Sequence, residues 1–230
     1  MMCLAPLPCI HLVTRDVAAS GKVVLLASGL HFGLRVWRDA DSLLSELDPD
    51  STGAVLLELA GAGSELALLD RLGSLGVDLP VIVLSRDATV DLCRQAFKAG
   101  AREFLPLPAA EDSLPEVLRK VVGQHVLERQ RLQRSRHARS LYTRLSERER
   151  EVLGLVVAGL TNKEIARALA VSPRTVEVHR ARLAGKLETD SLAQLVRQYA
   201  DLVDEDARRP DLVCGQAWAA PLAILARHPA

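Results

Sequence analysis

The chain reads as two folds in succession: an α/β unit on a parallel five-stranded sheet, then an all-α unit of four helices. Three observations carry that reading. From residue 10 to about 122, short apolar runs alternate with helix-length amphipathic segments. Beyond residue 144 two Ser/Thr-x-x-Glu boxes and a Ser-Pro pair punctuate a helical pattern. Charge divides the 230 residues in the same places. Residues 1–118 hold 9 Lys/Arg and 16 Asp/Glu, 119–200 hold 17 and 8, and 201–230 hold 3 and 5, so net charges of −7, +9 and −2 cancel to zero. A neutral total argues against a nucleic-acid partner; the division argues for separate partners, one of them polyanionic.

The five apolar runs are IHLV (10–13), GLRVW (33–37), AVLLEL (54–59), PVIVLS (80–85) and REFLPL (102–107). Near-continuous apolar strands separated by helices predict a parallel sheet covered on both faces. Chemistry in such folds sits in the crevice beyond the carboxyl ends of the strands, so the residues closing each run are the ones to read. The last helix of this unit starts near Leu114 and continues past Val122, until around Arg129, Arg131, Arg134, Arg136 and Arg139 basic residues replace its apolar spacing. The unit is expected to span 9–125 and a helical basic connector 126–144, which as a sequence fits a solvated linker, a dimer stalk or an arm touching phosphates.

Residues 145–204 read as the helical unit. Ser146 with Glu149 and Thr161 with Glu164 are capping boxes, Ser172-Pro173 pairs an N-cap with a first-turn proline, and Ser191 opens the fourth helix. The tail 205–230 lacks firm periodicity and is expected to be loosely ordered.

The second and third of these helices, TNKEIARALA and PRTVEVHRARLAGKL, are joined by a turn of three or four residues around 171–173. Helix-turn-helix units have that form, with the second helix in the major groove. Helical spacing turns Val176, His179 or Arg180, Leu183 and Leu187 inward with Ile165 and Leu169, and Arg174, Glu177, Val178, Ala181 and Arg182 outward. Glu177 can accept from cytosine N4, Val178 and Ala181 can meet thymine methyls, and Arg182 can reach guanine or phosphate. Asn162, Lys163, Arg174, Thr175, His179 and Lys186 are placed to hold phosphates. A plain helical hairpin with a solvated charged face is the competing reading.

The string LSEREREVLGLVVAGLTNKEIARALAVSPRTVEVHRARLAGKL, residues 145–187, resembles the LuxR-type helix-turn-helix output of FixJ/NarL response regulators. That resemblance implies double-stranded DNA as partner, and a homodimer formed through the fourth helix, with Leu192, Leu195, Val196 and Tyr199 divided between core and interface. It also implies a preceding receiver of flavodoxin-like (βα)5 form, and FKAGAREFLPLP, residues 97–108, is similar to the LKAGAxDFxxKP segment of such receivers.

A receiver that takes a phosphoryl group needs an acidic pair for Mg²⁺, an acceptor Asp, a hydroxyl and a Lys. The resemblance puts the acidic pair on Thr14 and Arg15, with Asp16 one place late, the acceptor on Glu58, the hydroxyl on Ser85 and the Lys on Leu107; Phe104 and Pro108 keep the pattern. A receiver unable to be phosphorylated is expected. In one reading Glu58 pairs with Arg15 and partly mimics the phosphorylated state; in the other it is a polar strand-end residue.

Cys3, Cys9, Cys93 and Cys214 have no metal-ligand spacing, and free thiols are expected. With no uncharged run long enough for a membrane helix and no positive leader at the start, the chain is expected in the cytoplasm. No metal, cofactor or catalysis is expected: phosphate chemistry would want the missing carboxylates and Lys. RNA polymerase or another regulator are further partners to consider. The alternative to a DNA-binding regulator is a protein-protein adaptor that sequesters another regulator.

Overall fold

The computed structural model describes residues 7–16, 21–61, 63–109 and 111–208. All five apolar runs are strands: β1 (Cys9–Val13), β2 (Gly33–Trp37), β3 (Gly53–Leu59), β4 (Val81–Ser85) and β5 (Glu103–Pro106). They form one parallel sheet in the order β2-β1-β3-β4-β5. Parallel neighbours need crossovers, and α1 (Gly21–Ser28), α2 (Ala40–Glu46), α3 (Ala67–Ser74) and α4 (Val90–Lys98) supply them, with α5 (Leu114–Tyr142) following β5.

Alternation along the strands sorts the core into two layers. Ile10, Leu12, Leu56, Ile82 and Leu84 pack on Val23 and Ala27 of α1 and on Leu114, Leu118 and Val121 of α5. Val13, Val55, Leu57 and Val83 pack on Leu43 of α2, Leu68 and Leu72 of α3, and Leu92 and Ala96 of α4. β3 starts against β1 so closely that a Cβ on Gly53 would stand 1.8 Å from the Cys9 carbonyl oxygen, and its φ of 144° suits glycine alone. The chain leaves β1 toward β2 and returns to β3, so a crevice opens at the carboxyl ends of β1 and β3.

The helical unit comprises α6 (Glu147–Val157), α7 (Asn162–Ala168), α8 (Pro173–Lys186) and α9 (Leu192–Ala207). Both capping boxes are formed with reciprocal bonds, and Ser172 and Ser191 cap α8 and α9. Val152, Leu153, Ile165, Val176, Leu183 and Tyr199 fill its core. Tyr199 is fully buried and its hydroxyl donates to the Leu187 carbonyl at 3.0 Å. Between α7 and α8 the turn places Ala170 at φ 53°, a left-handed conformation held by a residue with a Cβ.

The chain divides into two compact units after Gln130. The connector expected over 126–144 therefore needs correcting at both ends. Arg129 is buried within the first unit, donating to the Pro49 carbonyl (3.0 Å) and to Asp50 (3.1 Å). Ala138, Leu141 and Tyr142 are buried in the core of the second unit. The exposed stretch is 130–137. α9 likewise runs past residue 204: Glu205 accepts from Arg139 (2.7 Å) and Asp206 from Tyr142 (2.6 Å). These side chains find partners more than 60 residues away, which local periodicity does not register. The rest of the expected tail, 209–230, lies outside the described residues, as do Cys3 and Cys214; Cys9 and Cys93 are free thiols.

Candidate nucleic-acid interface and strand-end crevice

α8 is amphipathic. Val176 and Leu183 are buried, while Arg174, Glu177, Val178, Ala181 and Arg182 are all exposed, Val178 at 41%. Ser172 starts the helix by accepting from the Thr175 amide at 3.1 Å, and the two hydroxyls share a bond of 2.8 Å. The Arg174 guanidinium meets the Glu177 carboxylate one turn on, at 2.9 Å. The outward face thus carries one solvated ion pair, a small apolar patch and a second arginine.

The six residues expected at phosphates separate into two groups. Lys163, Arg174 and Thr175 are exposed. Asn162, His179 and Lys186 are engaged inward to different degrees. Asn162 is half-buried and its Oδ1 accepts from Arg180 Nη1 at 2.9 Å. His179 is half-buried with its Nδ1 enclosed and unpartnered. Lys186 donates from Nζ to Glu149 Oε2 at 2.7 Å.

Glu149 was legible only as the third residue of a capping box. It is 5% exposed, and its Oε2 also accepts from the Ser146 amide (2.8 Å) and hydroxyl (3.0 Å). Burial alone would raise its pKa; the Lys186 ammonium and the Ser146 donors outweigh burial and bring it down to about 2. Arg148 adds another tie, donating to the Leu169 carbonyl at 2.8 Å and to Glu151 at 2.7 Å. Arg148, which the sequence reading did not single out, and Arg180, one of the two residues expected to face inward at that turn, therefore tie α7 to α6 and α8.

At the strand ends Thr14 is buried and donates from Oγ1 to Glu58 Oε2 at 2.8 Å, while the Asp16 amide donates to Thr14 Oγ1 at 3.2 Å. The expected pair of Glu58 with Arg15 is not formed. Arg15 reaches Glu65 (3.5 Å) instead, and Glu58 meets Arg86 (3.3 Å), the residue directly after β4. The chain leaving β4 delivers Arg86 to Glu58, since Glu58 lies beside Leu84 in the register and Arg86 follows within two residues.

Ser85 is fully buried, and its hydroxyl has no protein partner. Leu107 is 4% exposed among the residues packed on α1 and α5, and Phe104 is half-buried against the opposite layer. A neighbouring cavity of about 270 Å³ is lined by Thr14, Arg15, Arg38, Glu58, Glu65 and Arg71 among others. Mg²⁺ takes an octahedron of oxygens with carboxylates among them. A buried threonine that donates to Glu58, with Glu58 ion-paired to Arg86 and the other inward carboxylate, Glu65, ion-paired to Arg15, does not fit that ion. Among the described residues no group of His, Cys, Asp or Glu is arranged to hold a metal, and no helix is long and apolar enough to cross a membrane.

Residues 143–199 match the family of bacterial regulatory proteins of the luxR family. Over 189 residues the chain is 32% identical to the transcriptional regulatory protein FixJ of Rhizobium meliloti, covering 82% of this chain and 93% of that protein. It is 31% identical over 206 residues to the tetrathionate response regulatory protein TtrR of Salmonella typhimurium, covering 86% and 95%. Among solved structures the response regulator StyR superposes with a TM-score of 0.71 at 28% identity, over 85% of this chain and 99% of that one. Full-length FixJ from B. japonicum gives 0.51 at 29% identity, over 85% and 97%.

Proposed function

The chain belongs to the FixJ-like response regulators with a luxR-family DNA-binding domain, and we propose that it is a sequence-specific regulator that works without phosphorylation of its receiver. The observation that carries the DNA reading is the exposed face of α8. Glu177, Val178, Ala181 and Arg182 read base edges in the major groove. Lys163, Arg174 and Thr175, with the half-buried Asn162 and His179, position the helix on phosphates. Two copies bind half-sites about one helical turn apart. Leu192, 51% exposed at the start of α9, supports a contact between copies there.

Independence from phosphorylation is supported by the bonds of the crevice. Glu58 is held by Thr14 and Arg86, and the position that would carry a phosphate-binding Lys is Leu107, packed in the core. A phosphoryl group brings about −1.5 to −2 charges and three acceptor oxygens, and the side chain of Leu107 offers them no cation. The receiver then serves as a contact surface for RNA polymerase or another regulator in the cytoplasm.

The test is selection of bound fragments from genomic DNA, followed by salt-titrated binding with and without prior incubation with acetyl phosphate and Mg²⁺. A recurring paired site, affinity that falls steeply with salt and no effect of the phosphodonor are expected. An acid-labile phosphate on the receiver would overturn the phosphorylation-independent reading. Absence of DNA binding at low salt would overturn the regulator reading and leave the adaptor.

A further inference from the structure

We propose that Lys186 serves DNA binding as a positioning residue, tying the end of α8 to the start of α6 through Glu149, and not as a phosphate contact. The inference rests on the DNA-binding reading above and deepens it. Lys186 is the last residue of α8 and Glu149 lies in the first turn of α6. At about 100° per residue, Lys186 stands about 60° around the helix from the buried Leu183 and about 40° from the outward Arg182, at the border of the two faces, and its ammonium is turned to Glu149.

The Lys186 side chain is 46% exposed, but its carboxylate partner is only 7% exposed. If Lys186 turned to a phosphate, Glu149 would keep Ser146 alone and remain enclosed without its counter-charge. Removing one partner from an enclosed pair costs more than an exposed contact returns, because the phosphate is already neutralised by salt ions. Holding the pair, in contrast, keeps the base of α8 seated on the N-terminus of α6. The same oxygen, Glu149 Oε2, closes the capping box, so the start of α6 and the end of α8 are fixed by one atom. The outward residues Arg174 to Arg182 are then presented from a helix anchored at its far end.

Charge gives a decisive test, because the two residues carry opposite signs. Binding of the full chain to a short mixed-sequence duplex is measured by fluorescence anisotropy across a salt series for Lys186→Met, Glu149→Gln, the double variant and Lys186→Arg. If Lys186 is a phosphate contact, Lys186→Met lowers the salt slope by about 0.9 and Glu149→Gln, which removes a negative charge, binds as tightly as the parent or more so. If Lys186 is a positioning residue, both single variants bind several-fold more weakly, both keep the parent's slope, the double variant is no worse than the weaker single, and Lys186→Arg restores affinity. Lys163→Ala should lower the slope and serves as the control for a true phosphate contact.

Measurements run well below each variant's melting temperature, so that loss of folded protein does not enter. Should Glu149→Gln fail to fold, the slopes of Lys186→Met and Lys186→Arg still decide. Should the parent bind no duplex at any salt, the DNA-binding reading fails. The tie itself is then judged by melting temperatures without DNA, where non-additive losses support it and additive ones overturn it.

Discussion

At the carboxyl ends of β1 and β3 the charged and polar groups are turned onto one another, whereas along the outward face of α8 they are turned to solvent. Thr14, Glu58 and Arg86 form a bonded set, with Ser85 and Leu107 buried at neighbouring strand ends. Arg174, Glu177, Val178, Ala181 and Arg182 stand exposed on a helix anchored from behind. Burial separates the two: a polar group inside costs free energy unless it is hydrogen-bonded, as Thr14 and Glu58 are, while an exposed group exchanges water for a ligand at little cost. This chain leaves the polar groups of α8 open to solvent and ties Thr14 and Glu58 to protein partners at the strand ends.

The largest expected effect probes how closed the crevice is. Leu107→Lys would place an ammonium among Leu105, Leu114 and Leu118, costing about 3 kcal/mol or more of stability. Denaturant unfolding measures it, and a cost below about 1 kcal/mol would show the position open to water.

Next in size are substitutions on the open face. Val178→Ala and Glu177→Ala should each cost about 1 to 3 kcal/mol against the best site and far less against mismatched ones, while Arg174→Ala should weaken all sequences alike. Competition binding on operator variants checks both, and equal losses on every variant for Val178 and Glu177 would remove them from base reading.

Acidification should separate the two units. His11 is buried and its Nδ1 accepts from Trp37 at 3.3 Å. Burial, helped by Arg35, lowers its pKa from 6.5 to about 4. The unfolded chain takes up that proton at the higher pH, so the receiver's stability is full above 6.5 and declines as pH falls toward 4. Glu149 lies lower, from 4.5 down to about 2, so its contribution to the helical unit is full above 4.5 and is lost as pH falls through 2. Melts at stepped pH should show the receiver weakening first. His11→Asn, which keeps an acceptor near Trp37, should flatten the upper window, and Glu149→Gln the lower one. A helical unit that weakened first would contradict this order.

The smallest effect concerns the turn before α8. Ala170→Gly relieves a left-handed alanine and should add about 0.5 kcal/mol, less than the full strain because glycine also frees the unfolded chain. It should leave DNA affinity unchanged; a thermal melt and the binding assay together check it.

Much of this was legible in the order of residues, and the parts that were not share one cause. The five strands, the crossover helices, both capping boxes and the Ser172-Pro173 start of α8 depend on side-chain period and on groups within four residues of each other. Such interactions are complete within a single element, so a linear reading captures them. The division of α8 into Val176 and Leu183 inward and Arg174 to Arg182 outward follows from helix geometry alone. Arg129, Ala138 and Tyr142, by contrast, looked like parts of a solvated connector, and Glu205 and Asp206 like the start of a tail. Their partners come from distant segments. The pairing of Glu58 with Arg86 in place of Arg15, and of Glu149 with Lys186 at a separation of 37 residues, was settled by how strands and helices stack. A carboxylate's chemical type is local, but the cation it meets is chosen by whichever element packing brings alongside it.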